Sequence, residues 1–211
     1  MKSRIVVPEL LDSLPPDDPE AVRSRADLRL INRLMGNTRW FERVFQGCGR
    51  IGPESKIVEL GAGDGTLARR LMARWPGLRY EAIDLAPAPP DLPSGCIWHQ
   101  ADLFEILPQL SGDAVIANLF LHHFQDEQLR QIGQMLKNFR FIAFSEPCRH
   151  PRFHWGGHAL ALLGINRVTR HDLHVSIDAG FAGQELARLL EIERAAIECS
   201  TLGAYRLLKL P

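Results

Sequence analysis

The feature that most constrains the fold is the stretch Ile57–Leu71, reading I-V-E-L-G-A-G-D-G-T-L-A-R-R-L. Ile57, Val58 and Leu60 form a short apolar run suited to a buried parallel strand. Gly61, Gly63 and Gly65 follow at once. Leu67, Leu71 and Trp75 then recur at helical spacing until Pro76-Gly77 stops the helix. The order is strand, glycine turn, helix. Such a turn aims free backbone N–H groups and the positive end of a helix at a ligand, and its glycines let the backbone approach closely. The dinucleotide fingerprint is G-x-G-x-x-G. Here the spacing is G-x-G-x-G, with Thr66 where the third glycine of that fingerprint belongs. A tight glycine turn also occurs with no ligand at all, so the rest of the chain has to decide.

Composition narrows the choice. A chain of 211 residues makes one domain with room for a small appendage. Lys and Arg balance Asp and Glu at 25 each, so the chain lacks the overall basic footprint of a nucleic-acid binder. The opening M-K-S-R-I-V-V-P-E-L lacks the long apolar core of a signal peptide, and no apolar run approaches membrane-spanning length. Cys48, Cys96, Cys148 and Cys199 are scattered without a C-x-x-C pair, and read as reduced cysteines of a cytoplasmic protein.

Along the chain, Asp18 followed by Pro19 starts a helix that runs to about Met35, with Leu28, Ile31 and Leu34 on its apolar face. Gly36-Asn37 breaks it, and a second helix from Thr38 to about Gln46 carries Trp40, Phe41, Val44 and Phe45. Tyr80–Asp84 is the second strand. Asp84, nineteen positions after Gly65, can accept hydrogen bonds from both hydroxyls of a ribose, whichever cofactor carries it. Cys96–His99 is a third strand, and Asp102 after it can cap a turn at Leu103–Leu107. Asp113–Asn118 is the fourth strand, followed by L-F-L-H-H-F, a helix from Asp126 to Lys137, and a fifth strand from Phe139 to Phe144. Strand ends at this edge of an open α/β sheet line the ligand crevice, which makes Glu146 a candidate site residue. His150, His154 and His158 share one helix face, but H-E-x-x-H is absent and no carboxylate stands between them. That pattern favours a histidine-lined pocket or a solvated face over a metal site. Thr169 and Asp172 form a capping-box-like pair. A short helix, Ala182–Leu190, precedes two strands, Leu190–Cys199 and Leu202–Leu210, joined at Ser200-Thr201.

Several of these stretches carry a family resemblance. Glu59-x-Gly61-x-Gly63-x-Gly65 resembles the first motif of class I S-adenosylmethionine-dependent methyltransferases. The N-x-x-x-H-H of Asn118–His123 is similar to the fourth motif of the small-molecule enzymes among them. The segments Gly164–Asp172, V-S-I-D-A-G-F and G-A-Y-R resemble small bacterial methyltransferases encoded near type III polyketide synthases. This likeness runs from the L-R-L-I-N-R helix to the C-terminus.

The resemblance implies an α/β fold. Its seven-stranded sheet has the order 3-2-1-4-5-7-6 and an antiparallel last strand. Residues 1–52 would form a helical lid over a core of residues 53–211, the alternative being a helical pair that simply packs on the sheet. It implies S-adenosylmethionine as cofactor, surrounded by Glu59, Gly61, Ala62, Gly63, Asp84, Leu85, Asp102, Leu103 and Asn118. It implies a small-molecule acceptor, a phenol or polyketide-type compound; no metal is expected, because H-E-x-x-H is absent. The N/D-P-P-Y loop of amino-directed DNA methyltransferases is missing after the fourth strand. Trp40, Phe41, Phe120, His123, Phe153, Trp155 and residues 166–172 are the candidates for the acceptor pocket. His171 is the first candidate for a general base and His123 the second, while Arg170 could hold a developing phenolate by charge. Two other readings stay open: an NAD-dependent oxidoreductase, disfavoured by Thr66 and the terminal hairpin, and a non-catalytic binding protein on the same fold.

Overall fold

A computed structural model describes residues 3–15, 17–161 and 164–211, and for 158–161 the backbone alone. The elements are α1 (Leu10–Ser13), α2 (Pro19–Met35), α3 (Asn37–Cys48), β1 (Lys56–Leu60), α4 (Thr66–Arg74), β2 (Arg79–Asp84), β3 (Cys96–Gln100), α5 (Leu103–Ile106), β4 (Ala114–Asn118), α6 (Asp126–Met135), β5 (Phe141–Pro147), α7 (Arg152–Ala161), α8 (Arg167–Ala179), α9 (Glu185–Leu189), β6 (Ala196–Cys199) and β7 (Ala204–Lys209).

The strands form one sheet in the order β3-β2-β1-β4-β5-β7-β6. β1 to β5 pair in parallel, and β7 inserts antiparallel between β5 and β6. This is the order and the hairpin that the resemblance implies. Alternation along the strands splits the core in two. Ile57, Tyr80, Ile116 and Phe141 face α3 and α4, packing on Phe41, Phe45, Leu67 and Leu71. Val58, Ile83, Val115 and Phe144 face the other way, onto Leu107, Leu129, Ile132, Leu186 and Leu190. α3 thus belongs to the covering layer of the sheet, its Phe45 ring set edge-on to Phe141 at 5.4 Å.

α2 begins where expected, with Asp18 accepting from the N–H groups of Glu20 and Ala21. α8 differs from expectation. Asn166, not Thr169, is its cap, accepting from Thr169 N–H at 2.7 Å. Asp172 turns instead to the N-terminal segment, where its two oxygens take the N–H groups of Leu10 and Leu11 at 2.8 and 3.0 Å. α2 and α8 are tied by further polar contacts, including a two-pronged Arg167–Glu20 ion pair and Thr169 Oγ1 bonded to Ser24 and Asp27.

The four cysteines are not all reduced, contrary to expectation. Cys148 and Cys199 are joined in a disulfide, while Cys48 and Cys96 are free. Scattered in sequence, the pair is gathered by β7, whose Ala204 lies opposite Pro147 and whose Tyr205 lies opposite Cys199. The cytoplasmic expectation therefore loses the support it drew from four reduced thiols. Among the described residues no helix is long and apolar enough to cross a membrane.

The glycine turn is sterically committed. Gly61 has φ +65°, and a Cβ there would lie 2.1 Å from Phe120 Cδ2. Gly61→Ala should therefore destabilise the fold by at least about 1–3 kcal/mol through backbone strain alone. Urea unfolding of the variant against the parent checks this, and an unchanged midpoint would contradict the geometry.

Candidate active site

The parallel strands end along one edge, and a large cavity of about 2100 Å3 opens above it. That exceeds the usual 300–1,000 Å3 of a one-ligand pocket, so two small molecules can share it. All nine residues read as cofactor-binding line this cavity: Glu59, Gly61, Ala62, Gly63, Asp84, Leu85, Asp102, Leu103 and Asn118. Asp84 sits at the end of β2, its two carboxylate oxygens accepting from Gly63 N–H at 2.7 Å and Ala86 N–H at 2.8 Å. Leu85 beside it is 74 % exposed, an apolar surface without cover. Asp102 caps α5 through Phe104 N–H, the local role its position suggested. Asn118 accepts from Asn37 Nδ2 at 3.0 Å, which links the start of α3 to the end of β4.

Glu59 is buried beneath the glycine turn and accepts a hydrogen bond from the Tyr80 hydroxyl at 2.7 Å. Burial, aided by the charges of Asp84 and Asp64 and opposed by the Tyr80 bond, pushes its carboxyl up to about 8.

The other end of the cavity is built on Glu146, near the end of β5 and fully buried. Its carboxylate accepts from the N–H groups of Phe120, Leu121 and His122 at 3.1, 2.9 and 3.2 Å. His122 Nδ1 lies 2.8 Å from the same carboxylate. The loop it holds includes Leu119 in the left-handed region at φ +55°, a strained position for a leucine. Glu9, carried in from the N-terminal segment, sets Oε1 3.6 Å from His122 Nε2 and also takes the Ser176 hydroxyl. Burial opposes a charge on His122, but the hydrogen bond to Glu146 and the attraction of the Glu146 and Glu9 carboxylates outweigh it and raise its pKa to about 9. Its neighbour His123 goes the other way. Burial and repulsion from charged His122 lower it to about 4. The His123 imidazole is therefore neutral, and its Nδ1 stands 3.9 Å from Asp12.

The acceptor-side candidates divide. Phe120, His123 and Phe153 line the cavity. Trp40 and Phe41 do not, being buried in the layer between α3 and the sheet, and Trp155 is 77 % exposed on α7. His171 and Arg170, first choices for base and phenolate holder, are exposed on the outer face of α8 and do not line the cavity. α8 presents Leu173, Ser176 and Ile177 to it instead. His154 is engaged with His174 Nδ1 at 2.8 Å and Asp178 at 3.2 Å, and the side chain of His158 lies outside the described residues. Glu9, Asp12, Ile31, Asn32, Phe124 and Arg152 also line the cavity and had no signal as site residues. Of these, only the acid pair of Glu9 and Asp12, three residues apart at the N-cap and in the first turn of α1, offered a local pattern.

Two structures of plantazolicin methyltransferases share the fold. BpumL, in complex with a monoazolic desmethylPZN analogue and SAH, matches at a TM-score of 0.68 and 12 % identity, over 92 % of this chain and 91 % of that one. BamL, in complex with a triazolic analogue and SAH, matches at 0.69 and 14 %, over 91 % and 75 %. The class I fold of S-adenosylmethionine-dependent methyltransferases is thus the fold of this chain. In sequence, 116 residues are 31 % identical to cephaeline 6'-O-methyltransferase from Carapichea ipecacuanha, spanning 54 % of this chain and 29 % of the relative. The match therefore covers less than a third of the relative's length. No family model matches the chain.

Glu59 gives a pH test of the buried site. Its folded pKa is raised, so its contribution to stability is complete below the unfolded value near 4.5 and is lost as pH rises through about 8. Glu59→Gln should remove this loss. The variant should gain on the parent by up to about 1.4 kcal/mol per pH unit between those limits, read as a Tm difference that widens with pH. A constant difference would mean that Glu59 ionises normally.

Proposed function

We propose that this chain is an S-adenosylmethionine-dependent methyltransferase that methylates a hydroxyl of a small, flat, phenolic or polyketide-type molecule. The observation that carries the reading is one continuous cavity, with the glycine turn and Asp84 at one end and the His122–His123 floor at the other. The fit to the cofactor rests on three features. The space that a Gly63 Cβ would enter is open. Each Asp84 oxygen spends one lone pair on a backbone N–H and keeps another for a ribose hydroxyl. Leu85 offers bare apolar surface next to that acid. When bound, S-adenosylmethionine supplies an activated methyl group, so no covalent enzyme intermediate is required.

The chain's own residues then have two tasks. Glu59, Gly61, Ala62, Gly63, Asp84, Leu85, Asp102, Leu103 and Asn118 hold the cofactor, and within residues 1–52 it is α2 and the segment before it that close over it as a lid, while α3 packs on the sheet. The acceptor hydroxyl is set against His123, whose neutral imidazole accepts a hydrogen bond from it and orients it while the proton passes on to solvent. Most of the rate comes from alignment of the reacting atoms in a water-poor space. Phe120, Phe124 and Phe153 suit a flat, partly apolar acceptor. The name of the partly matching plant relative, an O-methyltransferase, points to oxygen as the nucleophile.

Calorimetric titrations with S-adenosylhomocysteine and with NAD test the cofactor reading. Binding of the first alone is expected, and Asp84→Ala should lose about 1–3 kcal/mol of that affinity. Binding of NAD alone would mark an oxidoreductase, and binding of neither a non-catalytic fold. For the acceptor end, His123→Ala at saturating cofactor should lower turnover on a phenol by about 10²–10⁴-fold, while His171→Ala leaves it unchanged. The reverse pattern would restore His171 as the residue that assists the proton.

A further inference from the structure

His123, His122 and Glu9 bring three metal-competent side chains to one point on the cavity wall. One ligand atom from each can be chosen so that all three lie within 4.8 Å of one another. The set is two imidazoles and one carboxylate, which is the composition of catalytic zinc sites that keep an open position for a substrate oxygen.

Two further observations separate this cluster from a chance meeting. The first is the spacing of Glu9 Oε1 and His122 Nε2. At 3.6 Å it is too long for a hydrogen bond, although both groups are buried and face each other. Two ligands of a tetrahedral ion with bonds of about 2.0–2.1 Å stand roughly 3.3–3.4 Å apart. The second is the outer set of partners. Metal-ligating histidines characteristically donate their other ring N–H to a carboxylate, which fixes the tautomer and aims the free nitrogen. His122 Nδ1 has such a partner in the buried carboxylate of Glu146 at 2.8 Å, leaving Nε2 to face Glu9, where a bound ion would take the place of the Nε2 proton and release it to solvent. Glu9 in turn is held by the Ser176 hydroxyl. A fourth oxygen is nearby, since Asp12 Oδ2 is 3.9 Å from His123 Nδ1.

We propose that Glu9, His122 and His123 form a binding site for a divalent cation of the zinc type, with its open position toward the acceptor end of the cavity. The proposal rests on the methyl-transfer reading and deepens it. A cation there would bind the acceptor's hydroxyl oxygen and lower its pKa, and the His123 contribution to proton loss would then run through the ion. It also gives the N-terminal segment a chemical task, because Glu9 is the only one of the three ligands that does not come from the loop after β4.

The test uses the full chain without an affinity tag and Zn2+ alone. Calorimetry should show one Zn2+ per chain at this site. Glu9→Gln and His123→Ala should each weaken it by roughly 10–100-fold or more, and Glu146→Gln by about 10–100-fold through the outer partner. His154→Ala should leave it unchanged and so removes the His154–His174 pair as the source of the signal. His123→Ala gives up only the 3.9 Å approach to Asp12 and leaves the Glu9–Ser176 bond in place, so it stays informative if Glu9→Gln unfolds. Co2+ in place of Zn2+ should give the visible absorption of a tetrahedral site, altered when catechol is added. Absence of binding, or binding indifferent to both Glu9→Gln and His123→Ala, overturns the proposal. Binding of S-adenosylhomocysteine and methylation of a phenol after chelation would then leave the methyl-transfer reading intact. Zn2+ binding without S-adenosylhomocysteine binding would instead sink that reading alone.

Discussion

The buried carboxylate of Glu146 is the interaction on which the acceptor end of the cavity depends. A carboxylate with no exposure to water is stable only if its lone pairs are filled. Glu146 meets that requirement with three consecutive backbone N–H groups and one imidazole nitrogen, all from the loop after β4. The demand works in both directions. The loop satisfies the charge, and the charge bends the loop, carrying Leu119 through a left-handed conformation so that Phe120, His122 and His123 turn into the cavity. The same Phe120 ring leaves no room for a side chain at position 61, so the glycine turn and the acceptor floor are fitted to each other across the site.

Above this floor the roof is assembled from distant parts of the chain. Arg4 bonds to the carbonyls of Ala179, His122 and Phe124 and to Asp126, and stacks on Phe181. Asp172 receives the start of α1, and α2 is joined to α8 by Ser24, Asp27, Asn166 and Thr169. These contacts are mostly buried or half-buried and charge-assisted, the kind that holds orientation well. Their consequence is that Glu9 reaches the histidine floor. The outer ion pairs, such as Arg29–Asp64 at 3.7 Å, are exposed and add little.

How much of this was legible in the sequence depended on range. The strand, the glycine turn, Asp84 and the helix start at Asp18 are local signals, and each sits where the pattern put it, because backbone geometry over a few residues dictates them. The sheet order needed the family resemblance, since alternation of strands and helices does not specify which edges meet. The acceptor end was read less well. His171 stood out chemically, but the helical period of Val168, Asp172 and Ala179, all inward and buried, sets Arg170 and His171 on the outside. Glu9 and Asp12 carried no visible task because their partners lie more than a hundred residues away. The Cys148–Cys199 bond was illegible for the same reason: only the insertion of β7 brings its two ends together.

The central claim is that one buried carboxylate shapes the reactive loop. It is tested most directly by amide hydrogen exchange at Phe120, Leu121 and His122 in Glu146→Gln, followed residue by residue by NMR. Glutamine keeps the size of the side chain but replaces one acceptor oxygen with a donor, so it cannot serve all the donors that converge there. The account predicts that these three amides lose protection while those of β1 and β4 keep theirs. Unchanged protection at the three amides would contradict it.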